Sequence, residues 1–469
     1  MTSARRAISV RFCAVRSVAF VLALAGAGAI CADPARAQSL TDALVLAYQN
    51  NPNILSQRAQ LRSQDEAVNQ ALSGWRPTVT VNGQAGRSWI NAKPSTGGPY
   101  ISSTQWPREG TLTVTQNLYT GGKTEAQTRV ADFNVLVQRS QLDVVEQATL
   151  HAAAVSYNDV VLAQAVLGLD INNEQVLARQ LEATNDRFTV GEVTRTDVSQ
   201  AEAALSAAKA AREAAANQLQ ITRAAYRTTV GETPGELSDP GEPKGLPATR
   251  DESLSEAQNQ NPNVLVAVYT ERSAIANVDA QFGGLLPQLS AQGTLAKSTN
   301  QTSRIDDTDA AQILAILSVP IYTGGLVESQ VRAAKQVVGQ RRQQLEQAQR
   351  QAIQDATTAW ESLQSARAQA VSFADQIKAN EVALEGVQQE AQAGLRTVLD
   401  ILNAQQALLQ SEVSLAQAHH DTITAGYDLL LAVGHLSARD RQLPVDYYDP
   451  TAHYEEVREQ WFGVGGPVQ

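Results

Sequence analysis

The sequence predicts a mainly α-helical protein with membrane-spanning β-strands, built as a tandem duplication of one strand–strand–long-helix unit. Three observations carry that prediction. Two proline-free intervals, 108–233 and 321–443, are rich in the helix formers Ala, Gln, Glu and Arg. The same anchor residues recur in both halves of the chain at a fixed spacing. Upstream of each long helix, short segments alternate apolar and polar residues over the length that a bilayer-crossing strand needs.

Composition frames these elements. The 469 residues are 43% hydrophobic and 18% charged, with a formal charge of -11 and a mean hydropathy of -0.24. An acidic chain without a Lys/Arg stripe repels phosphates, which excludes a nucleic-acid binder. No apolar run after residue 31 approaches the roughly 20 residues of a spanning helix, which excludes a polytopic helical membrane protein. At the N-terminus, Arg5, Arg6, Arg11 and Arg16 precede an apolar stretch from Val18 to Ile30 and the small-x-small site Ala35-Arg36-Ala37. Residues 1–37 therefore read as a secretory signal peptide, with a mature chain beginning at Gln38. Cys31 follows Ala29-Ile30, a poor lipoprotein box, so lipidation is the lesser reading. Removing the leader takes away five arginines, one aspartate and both cysteines (Cys13 and Cys31), and the charge moves to -15. Without disulfides, stability has to come from packing or assembly.

The long helices are taken next. From Lys123 to Val190 is a continuous helical pattern of about 67 residues, on the order of 100 Å if straight. Leu363, Ala366, Ala370, Phe373, Ile377, Asn380, Leu384, Val387 and Ala391 step by three and four, as a coiled-coil seam does. Val155, Leu162, Leu169, Val176 and Ala183 step by seven in the first interval. Gly191 and Gly394 break the two patterns and mark helix-turn-helix tips.

The duplication is explicit. Asn51-Pro52-Asn53 recurs as Asn261-Pro262-Asn263, Pro77 as Pro287, and Tyr119-Thr120-Gly121-Gly122 as Tyr322-Thr323-Gly324-Gly325. Tyr157 answers to Trp360, Gly191 to Gly394, Asp197 to Asp400 and Val230-Gly231 to Val433-Gly434, all at an offset of 203. The first repeat is placed at residues 38–231, a linker at 232–252, the second repeat at 253–434, and a tail packing on the helices at 435–469. Each repeat opens with one helix of about 30 residues (Leu40 to Ser73; Leu254 to Phe282) that ends at a proline turn. Strands follow at 77–90 and 110–119, and at 287–297 and 310–321, separated by polar loops from Asn91 to Arg108 and from Lys297 to Asp309. Gly121, Gly122, Gly324 and Gly325 supply the backbone freedom of a tight strand-to-helix junction.

Four strands cannot close on themselves, and an open edge in hydrocarbon leaves backbone groups unsatisfied. The sheet must be completed by other copies of the chain. A soluble β-domain capping a helical bundle is the alternative, and the direct run of each second strand into a long helix opposes it.

These residues resemble the TolC-like outer-membrane channel proteins. The tandem repeat, the paired Asn-Pro, the two Tyr-Thr-Gly-Gly segments and the glycine tips carry the resemblance over about residues 38–436. It implies a homotrimer with a 12-stranded β-barrel in the outer membrane, continuous with an α-helical barrel in the periplasm. It also implies export through a periplasmic adaptor from an inner-membrane ABC or proton-driven transporter. Type I protein secretion is the preferred substrate class because a convincing lipobox is missing, with drug efflux as the alternative; a periplasmic adaptor or a purely structural coiled coil is the competing class. The resemblance places the closed entrance at Arg396 and Asp400, with Thr196 and Asp197 as partners in the first tip. Asn403 stands where a second aspartate is found in the family. Three Asp400 carboxylates around an axis would favour cations. The plainer role of Thr194 to Asp197 and Thr397 to Asp400 is to cap helix starts, and the two roles are compatible.

Nothing in the sequence points to an enzyme. His151, His419, His420, His435 and His453 lack metal-ligand spacing, Gly122-Lys123-Thr124 lacks the first glycine of a phosphate loop, and no nucleophile elbow is present. No cofactor is expected. Tyr447, Tyr448, Tyr454, Trp461 and Phe462 crowd the tail as a packing belt, and Tyr100 and Trp106 are candidates for an interfacial aromatic girdle.

Overall fold

The computed structural model describes residues 38–302 and 305–465. The signal peptide assigned to 1–37, including Cys31, lies outside the described residues. The first repeat runs α1 (Leu40–Asn50), α2 (Pro52–Leu72), β1 (Thr78–Ala85), β2 (Ser88–Ala92), β3 (Ile101–Gln105), β4 (Arg108–Tyr119), α3 (Lys123–Thr189) and α4 (Arg195–Val230). The second runs α5 (Arg250–Gln260), α6 (Pro262–Phe282), β5 (Gln288–Thr302), β6 (Ile305–Ser318), α7 (Leu326–Gln392) and α8 (Val398–Val433), and the tail adds α9 (Ala452–Arg458).

The opening helix of each repeat is two helices, not one. Asn51 and Asn261 each precede a proline, which disfavours helical backbone at that residue, and both are extended, with ψ of 124° and 125°. Each asparagine Oδ1 then accepts from the amide two residues on, at 2.9 Å for Asn53 and 2.8 Å for Asn263, capping α2 and α6. Each Nδ2 donates at 2.8 Å to a carbonyl near the end of the repeat's last helix, Thr229 or Ala432. The repeated Asn-Pro motif is therefore a clasp between the start and the end of each repeat. Gly434 sits against it in the left-handed region (φ 86°), where a Cβ would meet the Gln260 carbonyl at 2.8 Å.

α3 and α7 both have 67 residues, on the order of 100 Å of helix. In α7 the expected seam from Leu363 to Ala391 is buried or half-buried throughout, and its polar member Asn380 donates to the Ala407 carbonyl on α8 at 3.1 Å. In α3 the buried row lies elsewhere than expected. Leu142, Thr149, Ser156, Ala163, Asp170, Leu177 and Thr184 are buried, again at a step of seven, while the row from Val155 to Ala183 flanks them half-buried or exposed. α3 also contains a stretch long and apolar enough to cross a membrane, contrary to the hydropathy reading. It packs instead against α4, α6 and α8.

The main core joins α1, α3, α4, α8, the segment after α4 and residues 436–443. At its centre the rings of Tyr157 and Tyr226 lie 6.3 Å apart and tilted by 55°, a geometry worth about 0.5–1.5 kcal/mol beyond burial. The Tyr157 hydroxyl lies 2.7 Å from the carbonyls of both Gln38 and Ser238, tying the start of the described chain to the inter-repeat segment. α5 opens at Arg250, inside the span read as linker.

The sheet has the antiparallel order β1-β4-β5-β6. Its rows separate by chemistry: Val79-Val114-Gly293-Ile313 and Val81-Leu112-Leu295-Ala311 lie on one face, and Thr80-Thr113-Thr294-Gln312 on the other. The loops are shorter than expected. β5 and β6 extend through most of 297–309, and β2 pairs with β3 as a separate hairpin within the span read as loop and strand end. β1 stops at Ala85, next to Gly86, whose amide donates to the Pro107 carbonyl at 3.1 Å. β6 ends at Ser318, three residues earlier than expected, because β5 begins at its partner Gln288 and Pro320 has no amide to donate.

Replacing Asn261 by Ala removes a cap and strands a buried carbonyl. Thermal or denaturant unfolding of the purified protein should show a loss of about 2–4 kcal/mol, and a loss under about 0.5 kcal/mol would refute the clasp.

Candidate functional site

The two helical hairpins turn at homologous tips. Gly191 (φ 80°) and Gly394 (φ 76°) take the left-handed conformation that ends α3 and α7, and the following amides of Glu192 and Leu395 donate back to the carbonyls of Arg187 and Glu390 at 2.9 Å. In the second tip the Thr397 amide and hydroxyl donate to Asp400 Oδ2 at 2.9 and 2.8 Å, and the Asp400 amide donates to Thr397 Oγ1 at 3.3 Å. Thr194 and Asp197 repeat this box in the first tip, at 2.8, 2.7 and 3.3 Å. The capping reading of both aspartates is thus realised in atoms. Bonds from the Thr397 amide and hydroxyl hold the Asp400 carboxyl below its ordinary 3.8, and those from Thr194 do the same for Asp197. Both groups are ionised at neutral pH.

Arg396 does not stand alone. Its Nε donates to Glu390 Oε2 at 2.8 Å, a pair that the sequence reading missed. Arg187 pairs with Glu192 at 3.2 Å in the first tip. Position 187 corresponds to 390 under the offset of 203, so the repeats use opposite charges at one place to tie the end of the long helix to its turn. Thr196 and Asn403 are exposed and enter neither capping box. The tips touch through Leu177, Ala208, Val398 and Leu402, packed with Val193 and Leu205. Val190, Leu395 and Leu399 stay exposed at the ends.

At the other end of the long helices, Gly121, Gly122, Gly324 and Gly325 all have positive φ, between 66° and 82°. Gly121 also permits a close approach, because a Cβ there would lie 2.6 Å from the Gly283 carbonyl. The equivalent Gly324, just after the edge strand β6, faces open space.

Two histidines pair with carboxylates on neighbouring helices. His151 meets Asp428 at 2.6 Å, and His420 lies between Asp159 and Asp421 at 2.7 and 3.0 Å. Burial pulls the His420 pKa down, but bonds to the two carboxylates outweigh it and raise the value above 6.5. Among the described residues no group of three or more His, Cys, Asp or Glu side chains is placed to hold a metal.

A two-faced sheet that runs into helices of this length, ending in capped and charged hairpins, defines a channel-tunnel protein. The description "Outer membrane efflux protein" matches residues 43–232 and 253–435, and the chain belongs to that family. It is 36% identical over 440 residues to the outer membrane efflux protein BepC of Brucella suis, covering 92% of this chain and 93% of that one. It is 28% identical to the outer membrane protein TolC of Vibrio cholerae (86% and 92% covered). It is 24% identical to the alkaline protease secretion protein AprF of Pseudomonas aeruginosa (88% and 87% covered). Among solved structures, the Campylobacter jejuni CmeC outer membrane channel superposes with a TM-score of 0.76 at 14% identity, over 90% of this chain and 89% of that one. The protein is an outer-membrane channel of the TolC-like type and not an enzyme.

Proposed function

We propose that three copies of this chain close a 12-stranded barrel over a helical tunnel and form an export duct. A periplasmic adaptor and an inner-membrane transporter feed it, and secreted protein is its cargo. The observation that carries the assembly is the pair of free sheet edges, β1 and β6. An unpaired edge in hydrocarbon costs several kcal/mol per backbone group, and three chains of four strands close a barrel of ordinary dimensions.

The internal repeat supplies the register of that closure. An offset of 203 carries β4 onto β6 and one of 210 carries β1 onto β5, as Pro77 and Pro287 do. Under these offsets the pair Thr78–Thr115 becomes Gln288–Ser318, a pair already present within the chain. The same operation on the β4–β5 pair Leu112–Leu295 joins Ala315 of one copy to Ala85 of the next. It also brings the open side of Gly324 against the turn before β1 of the neighbour. An Ala85→Cys, Ala315→Cys chain should form covalent dimers and trimers on oxidation. Ala85→Cys with Leu314→Cys should not, since a one-residue shift points the side chain to the other face. Absence of cross-links in the first, or their appearance only in the second, would overturn the register.

The entrance follows from the tips. Three copies of Asp400 around the axis make a ring of fixed carboxylates that favours cations, restrained by the Arg396–Glu390 ties, with Thr196 and Asp197 opposite and Asn403 lining the next turn. The exposed apolar tip residues suit contact with an adaptor. Asp400→Ala and Arg396→Ala channels in planar bilayers should show changed conductance and weakened cation selectivity. Unchanged values in both would defeat the gate.

Protein cargo is favoured by the poor lipoprotein box at Cys31, which follows Ala29-Ile30. The secretion role named for AprF agrees, while the efflux named for BepC supports small-molecule export as the second reading. Depleting the chain should remove secreted polypeptides from the medium without altering dye retention; dye retention alone would select efflux.

A further inference from the structure

The tail does not behave as one packing belt. Tyr448 and Tyr454 pack on α2 and α3, Tyr448 stacks with Arg58 at 4.9 Å, and the Tyr454 hydroxyl donates to Asp132 at 2.8 Å. Trp461 and Phe462 are instead 65% and 92% exposed. The path of the segment explains where they sit. His453 meets Asp65 at 3.1 Å, and Asn69 and Arg76 donate to the Gln460 carbonyl at 3.0 and 2.8 Å. The tail thus runs alongside the second half of α2 and the turn after it, and the Arg76 guanidinium lies 5.1 Å from the Trp461 ring. Arg76 is two residues before β1, so Trp461 and Phe462 lie level with the helix-side ends of the strands.

That level already carries aromatics. Trp75 before β1, Tyr119 at the end of β4, Phe282 before β5 and Tyr322 after β6 are all exposed, one at the helix-side end of each strand of the main sheet. Above them the exposed apolar row of Val79, Val81, Leu295 and Ile313 continues along the sheet. Amphipathic aromatic rings at such a boundary partition into the headgroup region of a bilayer.

We propose that the segment 460–465 is a membrane-interface anchor, which Arg76 and Asn69 hold at the base of β1 so that Trp461 and Phe462 insert into the periplasmic leaflet of the outer membrane. The lipid surface is chosen as occupant because the patch continues the apolar face of the strands. The proposal rests on that face meeting lipid. Single cysteines at Phe462→Cys, Glu455→Cys and Val81→Cys, in a chain whose Cys13 and Cys31 are replaced by serine, are spin-labelled in phospholipid vesicles. Collision with oxygen and with a water-soluble nickel chelate is then measured at each site. The label at 462 should be open to oxygen and shielded from nickel, as at 81, with an accessibility ratio several-fold above that at 455. Arg76→Ala should return the label at 462 to water. Free access to nickel at 462 with a lipid-facing label at 81 would overturn the anchor alone, and so would shielding from both reagents, which marks burial against a second copy. A label at 81 exposed to nickel would sink the membrane sheet itself.

Discussion

The backbone hydrogen bonds that β1 and β6 lack within one chain set the terms for everything else in this molecule. A sheet exposed on both faces, with all eight residues of β1 accessible, has no core of its own. Its apolar face is satisfied by lipid and its edges only by another strand. Tandem duplication answers both needs with one interface. If the β4–β5 contact inside the chain is repeated as β6–β1 between chains, no separate surface has to evolve for assembly. The asymmetry at the glycines fits this economy: Gly121 is already pressed against Gly283, whereas its equivalent Gly324 is open.

Below the sheet, the long helices carry seams of buried and half-buried residues along their length. Isolated helices gain little from propensity in water, so α3 and α7 depend on lateral contacts along their whole length. The seven buried residues spaced by seven in α3 include four polar ones, Thr149, Ser156, Asp170 and Thr184. The most extensive apolar packing surrounds Tyr157 and Tyr226, and the two asparagine clasps bind the starts of the repeats to their ends.

Legibility in the sequence followed how local the cause was. The glycine turns and the Thr-x-x-Asp boxes depend on a few adjacent residues and appear where the pattern places them, while the alternation located the main strands but not their ends. The break at Asn51 was equally local, since a residue before proline resists helix; helical periodicity on both sides concealed it. The buried row of α3 was displaced from the larger apolar row because burial there depends on which neighbouring helix arrives, information that one strip of sequence lacks. Arg396–Glu390 was missed for a similar reason. The two are six residues apart, outside ordinary helical spacing, and the left-handed Gly394 brings them together. The tail was read by composition alone, which cannot separate Tyr454, bonded to Asp132, from Phe462, which touches little.

The capping role of Asp400 bears on how the proposed gate can move. One carboxylate oxygen accepts two bonds from Thr397, so the side chain cannot swing aside without leaving the Thr397 amide unpaired and breaking the capping box at the start of α8. Glu390 restrains Arg396 in the same way from the end of α7. A ring built from such groups has fixed charges on fixed stems. Widening it by rotamer changes would break caps in every copy, whereas displacing whole hairpins leaves each cap intact. The contact that resists such displacement is the small apolar cluster of Leu177, Ala208, Val398 and Leu402 between the two tips. It buries far less than the core around Tyr157 and Tyr226, so in the proposed duct the tips would open more easily than the helices near that core.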